Sequence, residues 1–335
     1  MKVLINCGLP FALTHGGQQV QIERTQAALR SIGLEVEPVR WWDDKQTGDI
    51  IHYAGRMPAA QIELAHQKGI KVVMAELLTA PGSRTRVQLG LQRILNRSLE
   101  HLAPEHFIAA FNWKSYRLAD ACIALTDWEA RLMTYLFGAP KERMHVVSNG
   151  VEEVFLQALP AERGPWLVCT ATITERKRVL ELAAAAVLAQ TPVWIIGKAY
   201  AETDPYAQRF YSLARQHPKL IRFEGPIQDR AKLAQVYRAA RGFVLLSAME
   251  SLSLSTLEAA ACECPLLLSD LPWARSVFAG HATYCPTTAP GRTAAFLRRF
   301  YDQAQALKPP PKPPTWQGIA RQLKEVYERL LTLVP

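Results

Sequence analysis

The feature that most constrains this chain is the alternation of short apolar runs with longer amphipathic runs along almost its whole length. The short runs have the length of buried strands, and the longer runs have the apolar spacing of helices. Strands that alternate with helices predict βαβ units and parallel sheets. The strand-like runs of the N-terminal half are KVLINC (2–7), DIIHYAG (49–55), KVVMAEL (71–77), DACIALT (120–126) and HVVSNGV (145–151).

A break at ALPAERGP (158–165) divides the chain, because its prolines, glycine and charged residues are typical of a linker. The alternation then restarts in full, which predicts a second doubly wound domain. Ligands of such sheets bind beyond the C-terminal ends of the strands, and between two domains when both ends face one cleft. The strand-like runs of the second half are WLVCTATI (166–173), VWIIG (193–197), IRFEG (221–225), GFVLLS (242–247), PLLLSD (265–270) and ATYCP (282–286).

The C-terminal segment begins with KPPPKPP (308–314), which cannot be helical because consecutive prolines lack N–H donors and clash with the preceding turn. A polyproline spacer is predicted there, followed by an amphipathic helix over residues 315–331. The predicted domains are therefore 1–158 and 159–308, with a proline-rich linker and closing helix over 309–335.

Net charge, cysteine placement and hydropathy indicate the kind of partner and the cellular compartment of this chain. The formal net charge of +9 favours anionic partners such as phosphates, nucleotides, acidic lipids or nucleic acid, although a generic basic surface has the same charge. Four of the six cysteines lie in apolar, strand-like runs, which predicts buried thiols in a reducing cytoplasm. Cys262 and Cys264 form C-x-C with no second pair nearby, so no zinc site is predicted. The N-terminus lacks the pattern of a signal peptide, and no run has the length of a membrane-spanning helix. A cytoplasmic protein is expected.

The stretch MESLSLSTLEAAACECPLLLSD (249–270) carries two carboxylates eight positions apart, Glu250 and Glu258. Glu250 follows an apolar run and is predicted at the C-terminal end of a strand, where the next helix begins. A helix N-terminus binds anions through its N–H groups and its dipole, and carboxylates accept hydrogen bonds from sugar hydroxyls. The pattern thus predicts a site for a phosphate and two sugar rings. The alternative is two ordinary helix charges, against which the apolar run LEAAAC argues, since buried carboxylates need partners.

A basic turn lies in TATITERKRVLEL (170–182), after the first strand of the second domain. Lys177 stands at the start of a helix, where a lysine can neutralise a diphosphate leaving group without a metal ion. The alternative is a basic surface turn. No D-x-D sequence is present, which agrees with a site that relies on basic residues and helix amides.

Taken in this order, the motifs resemble the retaining glycosyltransferases of family four. The resemblance implies an α/β fold of the GT-B type, with two facing Rossmann-like doubly wound domains and an interdomain cleft. Domain 1–158 would bind the acceptor, domain 159–308 would bind the sugar nucleotide, and the closing helix would pack back on the first domain. The segments that carry the likeness are E-x7-E with LEAAA, C-P and LLLSDLP, then HGGQQVQIERTQAALRSIGLEVE (15–37), VVSNGVE (146–152), FEGPIQDRAKLAQVYRAARGFVLLSAMES (223–251) and the W-x10-Y of Trp316 and Tyr327.

The resemblance also implies roles for individual residues. Glu250 would approach the donor sugar, Glu258 would hold the ribose hydroxyls, and the amides of Ser253 and Leu254 would meet the sugar or the diphosphate. The family has an arginine where this chain has Thr172, so the second phosphate contact would have to come from Arg176 or Arg178. The predicted site comprises the catalytic residues Glu250 and Lys177 and the donor-binding residues Glu258, Ser253, Leu254, Arg176, Thr172, Gly197, Ile227, Gly16 and Gly17.

The acceptor side is less specific. His15, Gly16 and Gly17 follow the first strand and open the first helix, and paired glycines let a backbone approach a ligand closely. The alternative is a plain strand-to-helix turn. Glu76 stands at about the position where many relatives carry a histidine near the transferred sugar, so it would either hold an acceptor hydroxyl or cap a helix. His52, at the end of its own strand-like run, is the other acceptor-site candidate.

The stretch 84–117 interleaves basic and apolar residues. Helical spacing places a basic edge beside an apolar face, which suits a helix that lies on an anionic membrane and meets a lipid-linked acceptor. The alternative is a helix packed on the core with a solvated basic face. A nucleic-acid partner is not predicted, because the interleaved residues are Leu and Ile rather than stacking aromatics. The basic residues are Arg84, Arg86, Arg93, Arg97, Lys114 and Arg117.

The function predicted from all of this is retaining, metal-independent transfer of a hexosyl or other glycosyl group in glycan or cell-surface polysaccharide synthesis. The donor would be a UDP-, GDP- or ADP-sugar, the acceptor a saccharide or a lipid-linked molecule, and no separate cofactor is expected. The protein would be cytoplasmic, with peripheral association at the inner face of the plasma membrane. Two alternatives stay open: a catalytically inactive glycosyltransferase-like partner subunit, and a sugar-nucleotide epimerase of the same fold. A nucleotide-cofactor oxidoreductase is disfavoured because no G-x-G-x-x-G follows the first strand.

Overall fold

The computed structural model describes residues 1–8, 11, 16–159, 161–286 and 289–332. It divides the chain into two compact units. Unit 1 comprises Met1–Gly150 and Trp316–Pro335, and unit 2 comprises Val151–Thr315.

Unit 1 is built on a six-stranded sheet within the described part of the chain. Its strands are β1 (Lys2–Cys7), β2 (Glu35–Pro38), β3 (Ile50–Ala54), β4 (Lys71–Met74), β5 (Ala121–Ala124) and β6 (Met144–Val146). Its first helices are α1 (Gly17–Ser31), α2 (Ala59–Gln67), α3 (Thr79–Gly82), α4 (Arg86–Leu102), α5 (Glu105–Ala109), α6 (Ser115–Leu118) and α7 (Asp127–Phe137). All neighbouring strands are parallel, in the order β2-β1-β3-β4-β5-β6, so the order reverses between β1 and β3.

Unit 2 repeats this architecture with a different strand order. Its strands are β7 (Leu167–Thr170), β8 (Val193–Ile196), β9 (Ile221–Phe223), β10 (Gly242–Leu245), β11 (Leu266–Ser269) and β12 (Thr283–Cys285). Its helices are α8 (Glu153–Leu156), α9 (Val179–Leu188), α10 (Pro205–Gln216), α11 (Arg230–Ala239), α12 (Leu254–Ala261), α13 (Pro272–Phe278) and α14 (Pro290–Gln303). The parallel order is β12-β11-β10-β7-β8-β9, which reverses between β7 and β10.

The predicted fold class, α/β with two doubly wound parallel sheets, is confirmed. The central strands β10 and β11 are buried at every position. Parallel strands covered by helices on both faces have continuous apolar sequences of this kind rather than alternating ones. The apolar runs in the sequence therefore mark the strands of each core.

The division between the units falls at Gly150 rather than at residue 158. Val151 N donates a hydrogen bond to Pro314 O at 2.9 Å, and Phe155 of α8 is fully buried, with its ring 6.1 Å from that of Tyr237. Residues 151–158 therefore pack with unit 2. The same hydrogen bond places the end of the proline-rich segment in unit 2, and unit 1 resumes at Trp316, within the predicted closing helix.

The last helix, α15 (Trp316–Thr332), packs against α1 within unit 1. Its apolar face is buried at regular helical intervals, including Leu323 and Tyr327. The hydroxyl of Tyr327 lies 2.7 Å from Nδ1 of His52, which comes from β3. The C-terminal helix thus completes the core of the unit in which the chain begins.

The cysteines are packing residues. Cys122, Cys169, Cys262, Cys264 and Cys285 are buried thiols, and Cys7 is partly exposed. Within the ranges described, no group of three or more His, Cys, Asp or Glu side chains is arranged to hold a metal ion. The same ranges contain no helix with the length and apolar character needed to span a membrane.

Candidate functional site

The candidate site is formed by the loops that follow β7 and β10, the strands between which the second sheet reverses its order. Phe243 of β10 lies beside Val168 of β7 in parallel register, so both strands end at the same edge of the sheet. In open α/β sheets, ligands bind beyond this edge at the point of reversal. Lys177 lies in the loop after β7, and Glu250 lies in the loop after β10.

Lys177 and Glu250 form an ion pair across these two loops. Lys177 ends a short 3-10 turn, Glu175–Lys177, that precedes α9. Its Nζ donates a hydrogen bond to Oε1 of Glu250. The backbone joins the loops as well, because Ala248 N donates to Arg176 O at 2.8 Å. Two residues that are far apart in the sequence therefore contact each other directly.

Glu250 is buried and is nevertheless held as a carboxylate. Its exposed fraction is 7%. Burial alone would raise the pKa of this carboxyl, but the charges of Lys177 and Arg176 outweigh burial and bring the pKa below its usual value. A buried carboxylate that two cations keep ionised, at the point where the strand order of the sheet reverses, is an arrangement typical of functional sites.

Arg176 supplies a second cation beside Lys177. Its Nη1 lies 3.3 Å from Glu250 Oε1 and donates to Met249 O at 3.0 Å. Thr172, half-buried, stands earlier in the same loop. The guanidinium that contacts the site therefore comes from Arg176.

The start of α12 lies directly after this ion pair in the chain. Ser253 is the N-cap of α12, and its Oγ accepts a hydrogen bond from Thr256 N at 3.4 Å. Leu254 is the first residue of the helix. The first N–H groups of any helix lack intrahelical partners and carry the positive end of the dipole, so this helix start can accept an anion.

Glu258, one turn into α12, is held by a residue that the sequence analysis did not single out. Its Oε1 accepts a hydrogen bond from Nη2 of Arg230, and its Oε2 accepts one from the hydroxyl of Tyr237 at 3.4 Å. Arg230 also pairs with Glu152 through Nε. Burial raises the pKa of Glu258 despite the charge of Arg230. The sequence signal for Arg230 was only its place after the helix cap Asp229 in the stretch QDRAKL.

Gly197 follows β8 and is required by the backbone. Its φ is +155°, and a Cβ there would lie 1.9 Å from the carbonyl oxygen of Ala171, so only glycine fits. The close approach of the Gly197 backbone to Ala171 places the end of β8 against the loop that contains Thr172 and Lys177. Ile227 is half-buried in the loop between β9 and α11.

In unit 1, Glu76 follows β4 and is engaged by two other side chains. Arg56, which comes just after β3, donates from Nε to Oε2 at 2.8 Å and from Nη2 to Oε1 at 3.0 Å. The hydroxyl of Tyr116 donates to Oε2 as well. Glu76 therefore has fixed partners, and its basic partner could have been found from its place directly after the strand-like run 49–55.

The other acceptor candidates differ in their placement. His52 is buried against Tyr327, and burial lowers its pKa to about 4, so this imidazole is neutral at neutral pH. Gly16 precedes α1 with a φ of 149°, and Gly17 is its first residue. His15 lies outside the described residues.

Comparison with known families gives a match over the segment that contains these residues. Residues 164–302 match the family model described as glycosyl transferases group 1. This segment is similar to the group 1 glycosyltransferases. It contains Lys177, Glu250 and Glu258, so the likeness to glycosyltransferases seen in the motifs is confirmed for the part of the chain that carries them. Among curated proteins, a sequence search finds no match to the chain.

Solved structures share the fold over the whole length of this glycosyltransferase-like chain. A sucrose-phosphate synthase from Thermosynechococcus elongatus superimposes with a TM-score of 0.68 at 17% identity, covering 100% of both chains. HepE from Anabaena, solved with UDP and glucose, gives 0.65 at 14% identity, covering 99% of this chain and 98% of its own. A glycosyltransferase from Rickettsia africae gives 0.64 at 12% identity, covering 99% of both. The GT-B fold, with two Rossmann-like domains, is confirmed.

Proposed function

We propose that this chain is an active glycosyltransferase that moves a sugar from a nucleoside-diphosphate sugar to a saccharide or lipid-linked acceptor, with retention of anomeric configuration. The ion pair of Lys177 and Glu250 carries the proposal, because it stands at the reversal point of the unit that contains the group 1 glycosyltransferase segment. The similar structure of HepE was solved with UDP-glucose, which favours a uridine nucleotide among the donors to be tested.

The donor-side chemistry follows from charge. As the bond between the anomeric carbon and the diphosphate oxygen breaks, negative charge grows on the leaving group. Lys177, Arg176 and the N-terminus of α12 are fixed donors that would stabilise that charge. Glu250 would hold the donor sugar and Glu258 the ribose hydroxyls. The acceptor oxygen would bond to the anomeric carbon on the face that the diphosphate leaves, and a leaving phosphate oxygen would take the acceptor proton.

Two cations at one loop would do the work that a divalent metal does in other transferases. We therefore propose that transfer needs no metal ion. Activity that persists after dialysis against a chelator, and that added Mg²⁺ or Mn²⁺ does not raise, is the expected outcome. Loss of activity on chelation and its return with metal would contradict this part of the proposal.

The acceptor is assigned to unit 1. Gly16 and Gly17 open α1 after β1, beside the point where the first sheet reverses its order, and such points bind ligands in open α/β sheets. Glu76 follows β4 and is held in a fixed orientation by Arg56. A carboxylate fixed in this way can accept a hydrogen bond from an acceptor hydroxyl without losing its partners, since each oxygen has two lone pairs.

The test is hydrolysis and transfer with a panel of UDP-, GDP- and ADP-sugars, read out by release of the nucleoside diphosphate. Glu250→Gln should abolish turnover while the fold survives, as judged by circular dichroism. Glu175→Gln is the matched control, because Glu175 lies exposed in the turn beside Lys177. Equal loss in both variants, or full activity in Glu250→Gln, would overturn the role given to Glu250.

The outcomes also separate the alternatives. Donor binding without turnover, with every acceptor tried, would indicate an inactive partner subunit. Release of an epimerised sugar would indicate an epimerase. Absence of both binding and turnover across the panel would refute the proposal that this is a sugar-nucleotide enzyme.

We also propose peripheral association with an anionic membrane, at the inner face of the plasma membrane. Helix α4 buries few of its side chains, and one side of it exposes large apolar residues; we call this side the α4 apolar face. Arg86 and Arg97 are exposed along the helix, which suits a helix lying in an anionic interface. The exposed fractions are 73% for Val87, 64% for Leu91, 65% for Ile94, 58% for Leu95 and 84% for Leu102.

Vesicle sedimentation tests this association. The protein should bind vesicles of phosphatidylcholine and phosphatidylglycerol, and bind vesicles of phosphatidylcholine alone more weakly. Changing Leu91 and Leu95 together to serine should weaken binding about tenfold or more, because each leucine contributes about 1 kcal/mol or more when its side chain leaves water. Unchanged binding in that variant would contradict the placement of α4 on the membrane.

A further inference from the structure

Unit 1 contains a pocket that is lined entirely by residues of this unit. It has a volume of about 900 Å³ and lies between α4, α7 and the segment Lys141–Val146. Sites for small molecules in proteins usually have volumes of about 300–1,000 Å³. We call it the α4–α7 pocket.

Its polar lining is strongly positive. Arg86, Arg93, Arg131 and Lys141 all line it, against the single lining carboxylate of Asp127. None of these four cations forms a salt bridge with any side chain in the described ranges. Uncompensated guanidinium and ammonium groups around one cavity attract an anion, and arginine forks match phosphate in particular.

Arg93 gives the second, independent indication of a ligand. Its Nε is buried and has no hydrogen-bond partner among the described residues. Its guanidinium carbon lies 4.2 Å from the centroid of the Tyr135 ring, which holds the side chain in place. A buried N–H without a partner is costly in a folded protein, and an anion in the pocket would satisfy it.

Much of the remaining lining is apolar. Leu89 of α4 and Leu132 of α7 face the pocket together with Met144 and Val146 of β6. A small inorganic anion would make no contact with these apolar side chains. A ligand with a charged head and a hydrocarbon part would contact both kinds of lining, because burial of hydrocarbon adds to the charge interaction.

We propose that the α4–α7 pocket binds the phosphate headgroup of an anionic amphiphile, with its hydrocarbon chain against Leu89, Leu132, Met144 and Val146. The pocket is lined by the same helix whose opposite side forms the α4 apolar face, so a bilayer is the natural source of such a molecule. The inference extends the membrane association proposed above, and its test uses monomeric lipid so that the two can fail separately.

The experiment is calorimetric titration of the full chain with dihexanoyl phosphatidic acid below its micelle concentration, and in parallel with inorganic phosphate and with dihexanoyl phosphatidylcholine. Phosphatidic acid should bind saturably, at one molecule per chain, about tenfold tighter than inorganic phosphate or more. Phosphatidylcholine should bind more weakly than phosphatidic acid, because its headgroup has no net charge.

Variants locate the site. Arg131→Gln and Lys141→Gln should each weaken phosphatidic acid binding about tenfold, the typical effect of losing one charge-assisted hydrogen bond. Both side chains are exposed, so neither change should disturb folding. Arg97→Gln is the matched control: it removes the same charge from the exposed surface of α4 but does not line the pocket, and binding should change less than twofold.

Three results would overturn the inference: no saturable binding of phosphatidic acid, equal affinity for phosphatidic acid and inorganic phosphate, or equal losses in Arg97→Gln and Arg131→Gln. The serine variant of Leu91 and Leu95 should lose vesicle binding yet bind monomeric phosphatidic acid normally. Glu250→Gln should bind it normally too, so failure of the sugar-transfer proposal leaves this result unaffected.

Discussion

Replacing Lys177 with methionine is the sharpest perturbation of the candidate site. Methionine keeps most of the length and volume of lysine and removes its charge and its hydrogen-bond donors. The Nζ of Lys177 donates directly to Glu250 Oε1, and both side chains are largely buried, with 12% and 9% of their surfaces exposed. The variant therefore leaves a buried carboxylate that has lost its closest cation.

The size of the effect follows from what remains. Removing one partner of a buried ion pair costs about 3–5 kcal/mol, mainly because the other charge stays buried. Arg176 stays in place with its Nη1 3.3 Å from Glu250, so we take the lower end, about 3 kcal/mol. In a domain of the size of unit 2, each kcal/mol shifts Tm by about 2–4 °C. The Tm of unit 2 should therefore fall by about 6–12 °C.

Differential scanning calorimetry measures this shift and separates the transitions of the two units. Lys219→Met is the control, because Lys219 is exposed and surface changes of this kind usually alter stability by less than about 0.5 kcal/mol. A fall in Tm of less than about 2 °C for Lys177→Met would mean less than about 1 kcal/mol. That result would refute the inference that the pair is formed and protected from water.

The pH dependence gives a second check on the same pair. The folded-state pKa of Glu250 lies below its ordinary value, so its contribution to stability is present above the unfolded pKa and is lost as pH falls through the folded pKa. Lys177→Met removes the main charge that lowers this pKa. The stability difference between the two proteins should therefore be full at neutral pH and shrink in acid. A difference that grows in acid would contradict the assignment.

Three further predictions concern other parts of the chain. Gly197→Ala should destabilise unit 2 by about 3 kcal/mol or more because its Cβ would strike a backbone carbonyl, whereas Gly225→Ala, with φ +82° and open space, should cost only about 1–2 kcal/mol in calorimetry. Burial lowers the pKa of His52 from 6.5 to about 4. As the pH falls, the histidine of the unfolded chain is protonated before that of the folded protein, so about 3 kcal/mol of stability should be lost between these pH values. His52→Gln should remove this loss in urea titrations. Arg56→Met should cost about 2–3 kcal/mol in the same titrations, because it removes both hydrogen bonds to Glu76.

Much of the fold could be predicted because parallel strands need apolar sequences of a definite length. The run KVLINC became β1 (Lys2–Cys7) residue for residue, and the runs of the second half became the strands of the second sheet. The proximity of Lys177 and Glu250 could be predicted for the same reason. Both follow strands that end at one edge of the sheet, so the topology alone brings their loops together.

Arg230 could not be predicted, because its role depends on helix packing. Its side chain reaches Glu258 of α12 and Glu152 at the start of α8, and its guanidinium carbon lies 4.7 Å from the ring centroid of Phe155. No local pattern states that α8 will pack on α11. The domain boundary was placed at residue 158 because the linker-like run begins there, whereas the buried Phe155 packs in unit 2 through contacts that no local pattern states.

Glu250 and Glu258 differ in the direction of their pKa shifts although both residues are 7% exposed. Burial raises the pKa of each, but Glu250 has two cations, Lys177 and Arg176, whereas Glu258 shares the single cation of Arg230 with another glutamate. The pKa of Glu250 is therefore lowered and that of Glu258 is raised, so acidification should protonate Glu258 first. If Glu258 holds the ribose, donor affinity should weaken at a higher pH than that at which turnover of bound donor fails. Titration of donor Kd and kcat against pH tests this order, and Glu258→Gln should remove the first step while leaving the second. The reverse order, or a first step that persists in Glu258→Gln, would show that Glu258 does not grip the donor.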